Sequence, residues 1–130
     1  MSVNTKQYKT IQNNTYRKNE VNIMNTVNLV GRITKTPELI NGDTSRVRFS
    51  LAVPRRFSKN DDTDFISCVA FGKTAEFISQ YFSKGDRIAL TGHIQTSSYD
   101  FQIAKNKSKR IYTTDVVVES VTFADAKKTA

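Results

Sequence analysis

A chain of 130 residues is long enough for one domain with a real core. No apolar run approaches the ~18 residues of a membrane helix, and the N-terminus lacks the apolar stretch of a secretory signal. One cysteine, Cys68, excludes an internal disulfide, and with one histidine it leaves too few ligands for a structural zinc site. Low cysteine usage suits a reducing cytoplasm. A net charge of +8 and a pI of about 9.7 point to a polyanionic partner, most often nucleic acid. The alternative is a merely solvated basic surface.

Residues 1–23 are rich in Asn, Thr and Lys and poor in large aliphatics. Lys6, Lys9, Arg17 and Lys18 outweigh Glu20, so the segment reads as a disordered basic arm. Met24 is itself a candidate translation start, and an upstream start codon without function is the competing explanation of the arm.

Strand signals begin at Met24. Val27, Leu29 and Ile33 alternate with polar neighbours, and Gly31 marks a bulge or bend. Thr36-Pro37-Glu38 ends this strand, and Asn41-Gly42-Asp43 is a turn. Val47, Phe49, Leu51 and Val53 form one face of a second strand, stopped by Pro54. A polar loop, residues 55–62, carries one aromatic, Phe57. The third strand runs from Thr63 to Phe71, with Ile66, Cys68 and Ala70 on one face and Phe65, Ser67, Val69 and Phe71 on the other. The period then changes. Ala75, Ile78 and Phe82 follow helical spacing over residues 73–83, with Gly85 expected at the C′ position.

A fourth strand covers Asp86 to Thr96 through Ile88, Leu90 and Ile94. A hairpin-like excursion over 97–111 carries Tyr99 and Phe101 outward and Lys105, Lys107, Lys109 and Arg110 around its tip. Tyr112 to Phe123 is the last strand, and residues 124–130 form a short polar tail. The expected organisation is a domain over 24–123 between the arm and the tail. Five short strands with one helix between strands 3 and 4 is the order of an OB-fold, a mainly β Greek-key barrel. A flat antiparallel α+β sheet competes. Glycines at 31, 72, 85 and 92, where a barrel would bend, favour the barrel.

Several stretches together resemble bacterial single-stranded DNA-binding proteins. They are Met24-Asn-Thr-Val-Asn-Leu-Val-Gly-Arg-Ile-Thr with Pro37-Glu38, Phe49-Ser-Leu-Ala-Val, Asp64-Phe-Ile and Val69-Ala-Phe-Gly-Lys-Thr-Ala-Glu. Tyr81-Phe-Ser-Lys-Gly, Leu90-Thr-Gly-His-Ile-Gln-Thr and Tyr112-Thr-Thr-Asp-Val-Val-Val continue the series. The resemblance covers about residues 24–123. It implies sequence-independent binding and protection of single-stranded DNA in replication, recombination or repair, with a mobile element as one setting. It further implies a homotetramer or homodimer and a cytoplasmic, nucleoid-associated protein with no membrane, cofactor or metal requirement.

Non-specific single-strand binders combine a positive groove with aromatic platforms, because every base has a π-face. The family's stacking aromatics match Phe57, Phe65, Phe71 and Tyr99 by motif register. Tryptophan is common at three of these positions in the family, whereas this chain has none. The competing reading of each is a core aromatic. Lys73 matches a family phosphate contact. Arg32, Arg48, Arg55, Arg56, Lys105, Lys107, Lys109 and Arg110 are further phosphate candidates. Gln95, Ser97 and Ser98 stand where the family usually carries basic residues. Either the site is weaker there or Arg55 and Arg56 compensate.

The family typically ends in a long linker and an acidic tip that recruits replication proteins. This sequence ends in the basic Ala124-Asp-Ala-Lys-Lys-Thr-Ala130, so any such partner, for example a helicase, is expected to bind elsewhere. Accessory or mobile-element relatives fit this ending. So does an organellar version with residues 1–23 as targeting, although the arm is Arg-poor. The alternative function is a primosome-type adaptor on the same OB-fold that acts mainly through a helicase. No nucleophile–base pairing or phosphate-cradling loop is apparent, so no enzyme is expected. His93 reads as structural, and Asp61, Asp62 and Asp64 as a charged turn rather than a metal site.

Overall fold

The computed structural model describes residues 22–125. Nearly all of the expected N-terminal arm, and the tail beyond Asp125, lie outside the described residues. The elements are β1 (Val27–Ile33), β2 (Glu38–Ile40), β3 (Arg46–Pro54), β4 (Thr63–Phe71), α1 (Gly72–Tyr81), β5 (Arg87–Ala104) and β6 (Lys107–Phe123).

The sheet order is β1-β5-β6-β4-β3-β2, and β1 also pairs with β3. That second pairing closes a ring of five strands, the OB-fold barrel, with β2 left outside it on β3. All pairings are antiparallel except β4 with β6. Closure depends on a close approach at Gly31. A Cβ there would lie 2.7 Å from Leu51 Cγ and 2.8 Å from the Ala52 carbonyl oxygen, so only glycine lets β1 cross β3 at this point.

Period-2 alternation fills the interior. Val47, Phe49 and Leu51 enter from β3, Cys68 and Ala70 from β4, Ile88 and Leu90 from β5, and Val116 and Val118 from β6. Ala75, Ile78 and Phe82 enter from α1 and the residue that follows it. Fully burying one such side chain contributes about 1.5–3 kcal/mol. The helix therefore covers part of the core and leaves the outward sheet face uncovered.

Three details differ from the sequence expectation. A three-residue strand, β2, forms at Glu38–Ile40, pairing Leu39 with Val47, where the sequence suggests only a connection between two turns. The excursion over 97–111 is not separate from strands 4 and 5. It is a continuous two-stranded ribbon, paired from Gln95↔Asp115 out to Ala104↔Lys107. Its β5 limb is exposed on both faces from Gln95 onward, and on the β6 limb Ile111, Thr113 and Asp115 are only half-buried, so the burial alternation that marks a strand is weak in its sequence. Finally, α1 stops at Tyr81, and Gly85 is not its C′ residue. Phe82 adopts an extended conformation to bury its ring, and its N–H still bonds the Ile78 carbonyl at 3.0 Å. Gly85 serves the turn into β5, where Asp86 accepts from the Ser83 N–H at 2.9 Å. Among the described residues no helix is long and apolar enough to cross a membrane.

Candidate nucleic-acid interface

The β3–β4 ladder fixes what lies beside what on the outward face. Arg46 stands opposite Phe71, Arg48 opposite Val69, Ser50 opposite Ser67, and Ala52 opposite Phe65. Phe65 is 68% exposed and Phe71 48%, so neither belongs to the core. The small residues Ser50, Ala52 and Ser67 leave the ring of Phe65 without a tall neighbour across the strand.

The parallel β4–β6 pairing continues the surface. Val69 lies beside Val117, and Asp115 and Val117 pair in turn with Gln95 and His93 of β5. Two-residue alternation from Gln95 puts Tyr99 and Phe101 on the same side of the sheet. Tyr99 is 53% exposed and Phe101 56%. One continuous sheet surface thus presents Phe65, Phe71 and Tyr99. Phe57 adds to it from the loop after β3 with 93% exposure.

That loop is built tightly. The Arg55 N–H bonds the Asp62 carbonyl at 2.8 Å, and Ser58 Oγ donates to Asp62 Oδ2 at 2.9 Å while accepting the Asp62 N–H at 3.2 Å. Phe57 has a φ of 62°, a left-handed conformation that bulky residues rarely adopt. The loop holds the ring out into solvent in this conformation, and the Arg56 guanidinium carbon sits 5.3 Å from the ring centroid, a cation–π contact. At the other end, Gly72 has a φ of +60° where β4 turns into α1. This turn leaves Phe71 at the sheet edge and Lys73 exposed in the first helical turn.

The cations divide into two sets. Arg55 pairs with Asp64 (Nη2–Oδ1, 2.7 Å), Arg48 with Asp115 (2.9 Å) and Arg110 with Asp100 (3.3 Å). The hydrogen bond from Arg55 holds the Asp64 carboxyl below the usual range and raises the guanidinium in turn. Arg48 reaches across β4, also donating to Ser67 Oγ at 3.2 Å, and so lies over the floor between Phe65 and Phe71. Arg32 gives its Nη1 to the Gly85 carbonyl at 2.6 Å. Lys73 and Lys109 make no ion pair among the described residues, and Lys109 pairs across the ribbon with Phe101, on the Tyr99 side.

The Lys105–Arg110 cluster is not one patch. Arg110 pairs with Asp100 and therefore occupies the ribbon face opposite Tyr99, while Lys105 sits in the terminal turn and Lys107 at its edge. Asp62 and Asp64 are occupied by Ser58 and Arg55, and His93 lies 3.3 Å from Glu119. Cys68 is fully buried, and burial, aided by the charge of Asp115, pushes its thiol up to about 12.

Three surface residues are not among the site residues expected from the sequence, although Phe101 is expected to point outward. Arg46 faces outward beside Phe71, and period-2 spacing from Arg48 is the signal that places it. Phe101 repeats the position of Tyr99 two residues on. Arg87, the first residue of β5, pairs with Arg32, a neighbour that only the closed barrel reveals.

A five-stranded closed barrel with one helix after the strand that carries Phe65 and Phe71 defines an OB-fold protein whose uncovered sheet face is aromatic and basic. The chain belongs to the single-strand binding protein family, whose model matches residues 24–124. It is 53% identical over 106 residues to a single-stranded DNA-binding protein of Clostridium perfringens, covering 79% of this chain and 67% of the relative. It is 47% identical over 111 residues to one of Fusobacterium nucleatum, covering 80% and 69%. Identity to single-stranded DNA-binding protein 2 of Clostridium acetobutylicum is 46% over 107 residues, covering 78% and 77%.

Proposed function

We propose that this protein binds single-stranded DNA without sequence preference and protects it during replication, recombination or repair. It is a binding protein, not an enzyme. One observation carries the structural side of the reading: Phe65, Phe71 and Tyr99 stand exposed on one sheet surface, with Arg46, Lys73 and Lys109 beside them. Aromatic faces accept any base, and the cations neutralise phosphates without reading base edges. Duplex DNA hides its base faces in the stack and gives these rings nothing to pair with. Phe57 is the fourth platform, on a loop instead of a strand.

The proposed working form is a homotetramer or homodimer built on β1, located in the bacterial cytoplasm at the nucleoid. Val27 to Val30 pair with β5 on one side, and β1 pairs with β3 only through Arg32 and Ile33. The remaining edge offers backbone donors and acceptors for another strand. A domain over 24–123, with residues 1–23 as a basic arm, completes the reading.

The test compares affinity for oligo-dT with affinity for a duplex of equal length at one salt concentration. Strong preference for oligo-dT is expected. Equal, weak binding to both overturns the proposal and favours an adaptor role.

A further inference from the structure

The β5–β6 ribbon beyond Gln95 has two unlike faces. Strand alternation puts Asp100 and Gln102 on one and Tyr99 and Phe101 on the other. The first face satisfies itself. Arg110 reaches both Asp100 Oδ1 (3.3 Å) and Ser98 Oγ (3.4 Å). The Gln102 amide donates to the Ala104 and Lys105 carbonyls at 3.2 and 3.3 Å, which ties down the terminal turn. The second face has no such pairing. Tyr99 stands opposite Ile111 and Phe101 opposite Lys109, and both rings are more than half exposed. Lys109 makes no ion pair among the described residues.

A two-stranded ribbon that leaves an apolar face in water is marginal on its own, so the Phe101 side calls for a cover. A second copy of the chain and the nucleic acid are the two candidates, and charge decides between them. Lys109 lies beside the ring, and Lys105 and Lys107 follow at the tip. The first carboxylate along that face is Asp115, at the base of the ribbon, and Arg48 already holds it at 2.9 Å. Two such faces packed together would set cation against cation. A polyanion meets no such repulsion. The face is also continuous with the surface that presents Phe65, Phe71 and Tyr99.

We propose that Phe101 is a fifth base-stacking platform, with Lys109 taking the adjoining phosphate, and that the ribbon carries the strand outward past Tyr99. The inference rests on the single-strand binding proposed above. The Tyr99 and Phe101 positions lie about 6.8 Å apart along β5, twice the ~3.4 Å rise of stacked bases. The two rings therefore serve successive nucleotides of an unstacked strand. Phenylalanine offers a π-face and no hydrogen-bonding group, so the added platform accepts any base. The Arg110–Asp100 face stays in solvent and braces the ribbon from behind.

The experiment uses the full chain, which has no tryptophan, so a single introduced indole reports on its own surroundings. Phe101→Trp keeps an aromatic face, and its fluorescence should be quenched as oligo-dT binds. Tyr112→Trp puts the same probe on the opposite ribbon face, where Tyr112 is 76% exposed, and its emission should change little. Phe101→Leu keeps an apolar side chain without a stacking face. It should weaken oligo-dT binding about five-fold or more and leave the salt slope unchanged. Lys109→Ala should flatten that slope by about 0.7, one phosphate contact on a single strand. Melting curves and light scattering should give each variant the parent's stability and mass, because the ribbon face lies outside the core. Equal quenching on both faces, or full affinity in Phe101→Leu, overturns the platform. A fall in assembled mass with unchanged affinity would also overturn it and assign the face to a second copy. Failure of the parent itself to bind oligo-dT would sink the underlying function instead, so the two failures are distinguishable.

Discussion

Arg55 and Asp64 face each other across the mouth of the β3–β4 loop, with 2.7 Å between Nη2 and Oδ1 and 3.5 Å between Nε and Oδ2. Asp64 alternates with Phe65 along β4 and so lies on the face opposite that ring, and the pair holds Arg55 at the rim of the barrel, away from the aromatic surface. Arg55 thus cannot simply compensate for the missing basic residues near Tyr99. Of the two arginines, Arg56 is the one without a carboxylate partner among the described residues, and it lies against Phe57.

Removing the competing carboxylate should therefore improve binding. Asp64→Asn is expected to raise oligo-dT affinity several-fold at low salt and to steepen the salt slope by about 0.7, as Arg55 gains a phosphate. The melting temperature should barely move, because exposed ion pairs contribute little. The sign with pH follows from the lowered Asp64 pKa. The pair's contribution is present above the ordinary carboxylate value and is lost only as pH falls through the depressed one. Binding at about pH 5 should still show Arg55 engaged. An Asp64→Asn variant with the parent's slope would show that Arg55 does not reach the strand.

Cys68 makes a separate prediction about the core. Its thiol is shifted from an ordinary 9.0 to about 12 by burial, so the unfolded chain loses this proton first as pH rises. Its effect on stability is absent below about pH 9, and stability falls between about pH 9 and pH 12, by at most about 1.4 kcal/mol per pH unit. Chemical denaturation at several alkaline pH values, compared with Cys68→Ala, isolates this component. The variant should start less stable and decline less steeply. Parallel curves would show that Cys68 ionises as readily in the folded state as in the unfolded one.

The barrel was legible because its inward residues alternate. Val47, Phe49 and Leu51 on one strand and Ile66, Cys68 and Ala70 on the next could occupy only one face each, and both sets point inward. The ribbon from Ser97 to Ile111 was legible only as a hairpin-like excursion, since its pairing is backbone and cross-strand chemistry with no fully buried face to leave a pattern. The exposed aromatics came from register and family resemblance together. Which cations are already paired could not be read at all. Arg48 meets Asp115 across 67 residues of sequence, and Arg87 meets Arg32 only because β1 lies between β5 and β3.

Assembly supplies the next prediction. One barrel covers only about 4–16 nucleotides, and the open edge of β1 invites a second copy. Light scattering at micromolar concentration should give a mass of two or four chains. A chain beginning at Met24 should keep that mass and its cooperative melting, with affinity reduced at low salt at most. A strictly monomeric parent would remove β1 as an interface, and loss of folding on truncation would move the domain boundary upstream.

Stacking and phosphate neutralisation separate in the salt dependence. Each stacked base contributes about 1–3 kcal/mol and releases no counterions of its own, so Phe65→Ala or Tyr99→Ala should weaken oligo-dT binding by about ten-fold or more and leave the salt slope nearly unchanged. Lys73→Ala or Arg46→Ala should do the reverse, flattening the slope by about 0.7 per lost contact with a smaller loss at high salt. Arg48→Ala should flatten it less, because its charge is already met by Asp115 at 2.9 Å. Both aromatic variants should melt close to the parent, since Phe65 and Tyr99 are more than half exposed. A buried phenylalanine replaced by alanine costs about 3–5 kcal/mol, so a large fall in melting temperature would mark a packing role. If folded Phe65→Ala and Tyr99→Ala bind single strands like the parent, the strand does not run across this face.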